Sequence, residues 1–248
     1  MHHLSAFFQN VNNALALLPI AAVPDQVVTV QGNDVRVPAG LTNIVGQAAL
    51  INSVTGLRAQ IQSPSLRAIA NVDVEPIINA LVFGSPPEQT IHGDSPIPLQ
   101  ANESLNFAVA NNAAVDNYGL VWIADGPLQA VKGSIYTVRA TGAATLAAGA
   151  WVNTSLTFAQ TLPVGRYQIV GVRARGANLV AARLVFIGGT FRPGVAALNA
   201  IGDLDPWYSR YGSMGVFGEF DSTTPPTVDC LGVTDAAQVF DFDLIKTK

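Results

Sequence analysis

The stretch Pro38–Gly46 has the sequence P-A-G-L-T-N-I-V-G, and a related stretch, P-V-G-R-Y-Q-I-V-G, occupies Pro163–Gly171, 125 residues later. Aligned without a gap, the two copies share the proline, one glycine and the whole Ile-Val-Gly triplet. Two further matches follow in the same alignment: Arg58 with Arg183, and Ser65-Leu66-Arg67 with Thr190-Phe191-Arg192. The offset is about half of the 248-residue chain, so the repeat predicts two similar domains in tandem.

Short apolar or alternating runs, separated by turn residues, continue through the rest of the chain. In the first half they predict strands at Val27–Val30, Val35–Val37, Asn43–Leu50, Leu57–Ile61, Ile77–Phe83, Glu103–Ala110 and Tyr118–Ala124. In the second half they predict strands at Ser134–Arg139, Trp151–Phe158, Arg166–Arg175, Leu179–Ile187, Gly215–Phe220, Thr227–Gly232 and Gln238–Ile245. Between them, Val195–Tyr211 is expected to be irregular. About eight strands in each half are typical of a β-sandwich, so we expect an all-β chain with domains at 24–127 and 128–248.

The first 23 residues show a different pattern. Apolar residues recur there at helical spacing, namely Leu4, Phe7, Phe8, Val11, Leu15 and Leu18, and Ser5 is a possible N-cap. We therefore expect a short amphipathic helix that ends before Pro19. A cleaved signal peptide is the alternative, but the segment has no lysine or arginine before its apolar run, and a glutamine and three asparagines interrupt that run.

The chain carries little charge for its size. Charged residues make up 12% of it, while 49% of residues are apolar and the mean hydropathy is +0.33. Because a freely soluble monomer normally carries more surface charge, the composition predicts that other copies cover much of the surface. A membrane protein is the competing explanation, but no window has the roughly 18–20 uninterrupted apolar residues of a spanning helix.

The net charge of −4 argues against a nucleic-acid-binding surface. The densest basic group consists of Arg166, Arg173, Arg175 and Arg183. Because alternate residues of a strand share one face, we favour a solvated or subunit-contacting face here over a phosphate site. Cys230 is the only cysteine, so neither an internal disulfide nor a cysteine metal cluster is expected.

Side chains that carry catalysis are scarce. His92 is the only histidine away from the N-terminus, and we expect it to be solvated in a loop. The chain therefore lacks the histidines of a metal-dependent cupin. It also has no nucleophile elbow, phosphate loop or dinucleotide fingerprint. We expect no enzyme activity, no cofactor and no metal.

Two groups of residues leave other interpretations open. Two carboxylate pairs have the spacing of one strand face: Asp203/Asp205 and Asp241/Asp243. They suit a cation site or a glycosidase pair, although solubilising strand-end groups explain them better. An aromatic cluster lies nearby: Trp207, Tyr208 and Tyr211. It suits a sugar-stacking platform, and packing between domains or subunits explains it at least as well.

With its P-x-G-x-x-x-I-V-G repeat at Pro38 and Pro163 and its S/T-[LF]-R repeat at Ser65 and Thr190, the chain resembles a double jelly-roll viral major capsid protein of the tailless icosahedral virus or phage type. The alternating strands near the end of each half add to the resemblance: Glu103–Ala110 with Thr227–Gly232, and Tyr118–Ala124 with Gln238–Ile245. The resemblance implies two tandem eight-stranded jelly-roll sandwiches preceded by the short N-terminal helix.

The resemblance also implies a structural subunit of a virion rather than an enzyme. Such proteins form homotrimers whose six similar domains make a pseudo-hexameric tile, and the tiles pack with neighbouring capsomers, and with minor capsid or vertex proteins, into an icosahedral shell. Assembly would take place in the host cell cytoplasm, without specific nucleic-acid binding. Candidate subunit or domain contacts are Arg58, Arg67, Arg183, Arg192, Trp207, Tyr208 and Tyr211. Candidate inner-face residues, close to an internal membrane where one exists, are Phe7, Phe8, Val11 and Leu15.

A tandem β-sandwich adhesin or carbohydrate-binding module is the alternative function. It predicts a cleavable signal, an exposed aromatic platform and a soluble monomer. A secreted β-rich hydrolase is a third, weaker possibility.

Overall fold

The computed structural model of the chain is nearly all β. It describes residues 3–12, 14–24, 28–51, 56–67, 71–74, 76–78, 89–112, 114–189, 191–197, 211–233 and 237–248. The first half contains one short helix, α1 (Pro64–Arg67), and the strands β1 (His3–Asn12), β2 (Leu18–Ile20), β3 (Val30–Gln31), β4 (Asp34–Arg36), β5 (Asn43–Ile51), β6 (Gly56–Gln62), β7 (Val72–Val74), β8 (Pro76–Ile78), β9 (Thr90–Ile91), β10 (Ile97–Pro98), β11 (Ser104–Asn111) and β12 (Val115–Ala124). The second half contains β13 (Ile135–Gly142), β14 (Val152–Thr154), β15 (Thr157–Phe158), β16 (Arg166–Arg175), β17 (Leu179–Val185), β18 (Gly194–Ala196), β19 (Gly218–Asp221), β20 (Thr227–Gly232) and β21 (Gln238–Lys246).

These strands form four sheets, two from each half of the chain. Sheet 1 has the order β1-β12-β5-β10, with β8 and β9 also paired to β5, and sheet 2 has the order β3-β4-β11-β6-β7, with β2 paired to β11. In the second half, sheet 3 has the order β15-β13-β21-β16-β19 and sheet 4 the order β14-β20-β17-β18. Strands at corresponding places in the two halves therefore have the same neighbours: β1-β12-β5 corresponds to β13-β21-β16, and β4-β11-β6-β7 to β14-β20-β17-β18.

The repeated Ile-Val-Gly triplet forms the same irregularity in both halves. On β5, Ile44 pairs with Ile123 and Gly46 with Trp122, so Val45 is an extra residue in the ladder. On β16, Val170 is likewise the extra residue between Ile169 and Gly171. Such a β-bulge bends the strand and increases its twist. In each copy the carbonyl of the bulged valine accepts a hydrogen bond from a loop, from the His92 N–H at 2.8 Å and from the Gly212 N–H at 2.7 Å.

Gly46 lies where a side chain would not fit. Replacing it with alanine is expected to lower the free energy of unfolding by about 1–3 kcal/mol. The added Cβ would lie 2.9 Å from both the Thr90 carbonyl oxygen and the Ile91 Cδ1 atom. Urea unfolding followed by circular dichroism measures the change. Gly126→Ala is the matched control, because no described atom beyond its chain neighbours lies within 4 Å of its added Cβ. Equal effects of the two substitutions would contradict the steric explanation.

The prediction of an N-terminal helix is wrong, because this segment forms the edge strand β1. It pairs with β12 along its whole length, from His3↔Ala124 to Asn12↔Val115. One side of β1, with Leu4, Ala6 and Phe8, lies in the core of the first half. The other side, with Phe7, lies in a second buried cluster that includes residues of the second half. A strand buried on both sides carries apolar residues at adjacent positions, and such a run can imitate helical spacing.

Most of the other predicted strands are confirmed, including β16 and β20 at their predicted bounds. Leu105, Phe107 and Val109 share one buried face of β11, as their alternation predicted. The predicted strand Trp151–Phe158 is two short strands instead, β14 and β15. The segment predicted to be irregular begins with a strand, β18. Most of the predicted strand Ile77–Phe83 lies outside the described residues.

Candidate interaction surfaces

The two halves contact each other through sheet 1 and the side of sheet 4 that faces away from its own core. The Trp122 indole N–H donates to the Gly194 carbonyl at 2.7 Å, and the Ser5 N–H donates to the Arg192 carbonyl at 3.1 Å. Phe7 contacts Trp151 edge to face at a ring distance of 4.7 Å. The apolar side of sheet 1 is buried in the same cluster as the second half. This contact joins two different surfaces, one from each half.

Arg183 lies at the centre of the sheet 4 side of this contact. Its side chain is 4% exposed, its Nε lies 3.0 Å from Asp229 Oδ2, and its guanidinium stacks on the Trp151 ring at 4.0 Å from the centroid. Asn153 also donates to Asp229, at 2.8 Å. An ion pair this buried is held in place by stacking and hydrogen bonding, so it orients Trp151 toward Phe7.

The corresponding side of sheet 3 carries charges instead of apolar side chains. Asp241 accepts from Arg139 Nε at 3.1 Å and from Arg175 Nη2 at 2.6 Å. Asp243 is fully buried, accepts from the Thr137 hydroxyl at 2.6 Å, and lies 3.7 Å from Arg173 Nη2. The predicted common face of Arg173 and Arg175 is therefore a row of ion pairs. The interpretation of Asp241 and Asp243 as solubilising strand-end groups is wrong, since arginines partner both.

The strand registers allow the two large sheets to be compared position by position. Leu120 pairs with Phe7 and Ala48 in sheet 1, and Asp241 pairs with Arg139 and Arg173 in sheet 3. Trp122 pairs with Ser5 and Gly46, and Asp243 pairs with Thr137 and Gly171. The outer face of sheet 1 is therefore matched, residue by residue, by a polar face on sheet 3. The matched positions are Ser5 with Thr137, Phe7 with Arg139, Gln9 with Thr141, Leu120 with Asp241, and Trp122 with Asp243.

The outer side of sheet 2 is polar as well. Arg58 Nη2 lies 2.8 Å from Asp73 Oδ1, and Gln60 donates to the same oxygen at 2.9 Å. The Arg58 hydrogen bond, followed by that of Gln60, holds the pKa of Asp73 below its ordinary value. Both charged side chains remain more than half exposed, 53% for Arg58 and 62% for Asp73. This pair is solvated, in contrast to the buried ion pair that the aligned Arg183 makes with Asp229 on a different neighbouring strand.

The remaining predicted contact residues lie in different environments. Arg192 is half-buried and donates to the Gly189 carbonyl at 2.9 Å. Arg67, its aligned counterpart, is exposed at the end of α1. Tyr211 is 56% exposed, and its N–H donates to Asp243 at 3.2 Å. Trp207 and Tyr208 lie outside the described residues, as do Asp203 and Asp205.

The predicted inner-face residues do not form one exposed surface. Phe7 and Phe8 are 3% and 0% exposed, because β1 is covered on both sides, so the prediction that they approach a membrane is wrong. Leu15 is 70% exposed. Val11 pairs through its backbone with Asp116, and its side chain lies outside the described part of the structure. No helix among the described residues is long and apolar enough to cross a membrane.

His92 is not solvated as expected. It is half-buried, and its Nε2 donates to Gln47 Oε1 at 2.6 Å. Burial lowers the pKa of the imidazole, which favours the neutral form. Within the described ranges, no three His, Cys, Asp or Glu side chains come together in a way that could hold a metal ion.

An open cleft of about 610 Å³ lies beside the contact between the halves, lined by Trp151, Asn153, Arg183, Arg192 and Asp229 among others. Arg183 stacks on the Trp151 ring and Phe7 meets it edge to face. This ring is therefore engaged within the chain rather than presented as a platform for a sugar.

No protein-family model matches the chain, and no curated protein matches it. One solved structure that it matches is the major capsid protein P2 from bacteriophage PM2, with 10% sequence identity over 98% of this chain and 97% of that chain. The TM-score is 0.26, which does not establish a common fold.

Proposed function

We propose that the chain is a structural virion protein, a major capsid subunit whose homotrimers form pseudo-hexameric tiles of an icosahedral shell. The observation that carries this proposal is the contact between the halves. Two units with the same strand order meet through different faces, so the same contact can be repeated from one copy to the next. Heterologous contacts of this kind close into rings when the rotation per step allows it.

We further propose that each half is an eight-stranded jelly roll, the first formed by residues 24–127 together with β1 and the second by residues 128–248. Numbering the main strands of each half from one to eight supports this. The large sheet then has the order 1-8-3-6 and the small sheet the order 2-7-4-5, with β9 and β10 together taking the sixth place in the first half. Two four-stranded sheets interleaved in this way make a double Greek key, the architecture found in many viral coat domains.

The distribution of apolar surface also supports a subunit rather than an enzyme. Sheet 1 is buried on both sides, so its strands belong to an extended, tightly covered interior. The repeated elements are a bulge, a strand order and two arginines, and none of these carries out a reaction. A chain with two similar domains is suited to be a repeating subunit of a larger assembly.

The mass in solution tests the proposal. The purified chain at micromolar concentration is expected to elute as a trimer, at about three times the 25.9 kDa chain mass by light scattering, and to form larger particles as the concentration rises. A monomer that persists under these conditions would contradict the capsid function and favour the adhesin or carbohydrate-binding alternative.

A further inference from the structure

An open cleft lies at one side of the second half, between an edge strand of sheet 3 and the end of a strand in sheet 4. Its volume is about 640 Å³, which is within the range of ligand-binding clefts. Gly218 and Glu219 of β19 line one side, and Phe186 and Ile187, which follow β17, line the other. None of the residues that the sequence predicted to be functional lines this cleft, which we call the β19 cleft.

The walls of the β19 cleft are apolar and are held by contacts within the chain. The Phe186 ring lies so close to the β19 backbone that a Cβ added at Gly218 would clash with it. Phe217 is 5% exposed, and its ring meets that of His3 edge to face at 4.9 Å. Phe191, a third aromatic residue of the lining, packs against the buried cluster of the first half. The cleft is therefore preformed, and a bound group does not have to order its walls.

A large apolar side chain is exposed at the rim of the cleft. The Gly189 N–H donates to the Phe186 carbonyl at 3.0 Å and closes a turn in which Gly188 has a φ of +70°. Glycine adopts this left-handed conformation without strain. The turn leaves the Ile187 side chain 80% exposed. Because Ile187 adjoins an apolar cleft, a partner that fills the cleft would also remove this side chain from water.

The other side of the cleft offers main-chain groups and a carboxylate. β19 pairs with β16 along one edge, and no strand among the described residues pairs with its other edge. The N–H and carbonyl groups of such an edge can pair with an added strand. Glu219 is exposed and accepts from Gln168 Nε2 at 2.6 Å, and no cation of the described residues forms an ion pair with it.

We propose that the β19 cleft binds an extended segment of another protein, which adds a strand to β19 and places a large apolar side chain against Phe186 and Ile187. Neighbouring residues of a strand point to opposite faces, so the residue next to that side chain lies on the face where Glu219 is exposed. A lysine or arginine there forms an ion pair with Glu219. The partner is thus a segment in which a large apolar residue is followed by a basic one.

Charge favours another protein over a second copy of this chain. A second copy carries the same net charge of −4, whereas Glu219 attracts a basic segment. The inference goes beyond the proposed function, because binding a separate segment requires neither a trimer nor a shell.

Fluorescence anisotropy with a synthetic peptide tests the inference on the full chain. The probe is a fluorescein-labelled peptide with the sequence Thr-Val-Thr-Phe-Lys-Val-Thr-Ser. We expect it to bind at micromolar concentration. Binding is expected to be about tenfold weaker for peptides that have glycine in place of the phenylalanine, glutamate in place of the lysine, or N-methyl groups on alternate amides.

Variants of the chain identify the contacts. Ile187→Asp is expected to weaken peptide binding about tenfold. Leu15→Asp is the matched control, because Leu15 is also an exposed apolar residue but does not line the cleft, and it is expected to leave binding unchanged. Glu219→Lys is expected to reverse the preference, so that the peptide with glutamate binds more tightly than the peptide with lysine. Circular dichroism melts verify folding.

The possible outcomes separate this inference from the proposed function. Absence of peptide binding, equal binding by the Ile187→Asp variant and the native chain, or no effect of N-methylation would overturn the inference. A smaller mass by light scattering for Ile187→Asp than for the native chain would assign the cleft to a second copy and would also overturn it. A native chain that is monomeric and binds the peptide would contradict the proposed function and support this inference.

Discussion

Replacing Trp122 with alanine is expected to lower the free energy of unfolding by about 3–5 kcal/mol, a large share of the stability of a typical domain. The indole is fully buried between the two halves of the chain. Its removal leaves a cavity and also leaves the buried Gly194 carbonyl without the donor that reaches it at 2.7 Å. Urea unfolding followed by far-UV circular dichroism measures the loss.

Trp122→Phe is the matched control for this prediction. It keeps most of the apolar ring and removes only the indole N–H, so a smaller loss of about 1–3 kcal/mol is expected. If the alanine and phenylalanine variants lost the same free energy, the hydrogen bond to Gly194 would account for the whole effect. If neither lost any, the proposed importance of this contact between the halves would be contradicted.

The sequence alone predicts the strands well because turn residues and alternation are local signals. Strand β11 shows this, because Leu105, Phe107 and Val109 alternate along the sequence and all three lie in the core of the first half. The repeated Ile-Val-Gly triplet indicated duplication for a similar reason. Both copies of the triplet form a β-bulge at the same place in their ladders, so the repeated residues mark equivalent positions in the two halves.

The sequence could not predict which sheet faces are buried by another part of the chain, because that depends on how the sheets are arranged. The apolar residues of β1 fit a helix as well as a strand until the surfaces on both sides are known. In the same way, Arg58 and Arg183 align in sequence, yet one is solvated and the other is buried under Trp151. A local pattern indicates that a residue faces away from the core of its own half, but it does not indicate whether the other half covers that residue.

The second large effect is expected at Arg183. Replacing it with methionine is expected to lower the free energy of unfolding by about 3–5 kcal/mol, because the Asp229 carboxylate then remains in a buried place without its cation. The Asp229 side chain is only 12% exposed, so water cannot compensate fully. The loss of the stacking contact with Trp151 adds to the cost. Chemical denaturation measures the change.

Two comparisons test whether burial causes this effect. Arg58→Met removes the aligned arginine from an ion pair that is more than half exposed, so a loss of less than about 1 kcal/mol is expected. The double variant Arg183→Met with Asp229→Leu removes both buried charges and is expected to recover most of the stability lost by Arg183→Met alone, since a buried pair contributes little beyond a well-packed apolar replacement. Equal losses for Arg58→Met and Arg183→Met would show that the two arginines contribute alike. The repeat would then preserve an energetic role and not only a position.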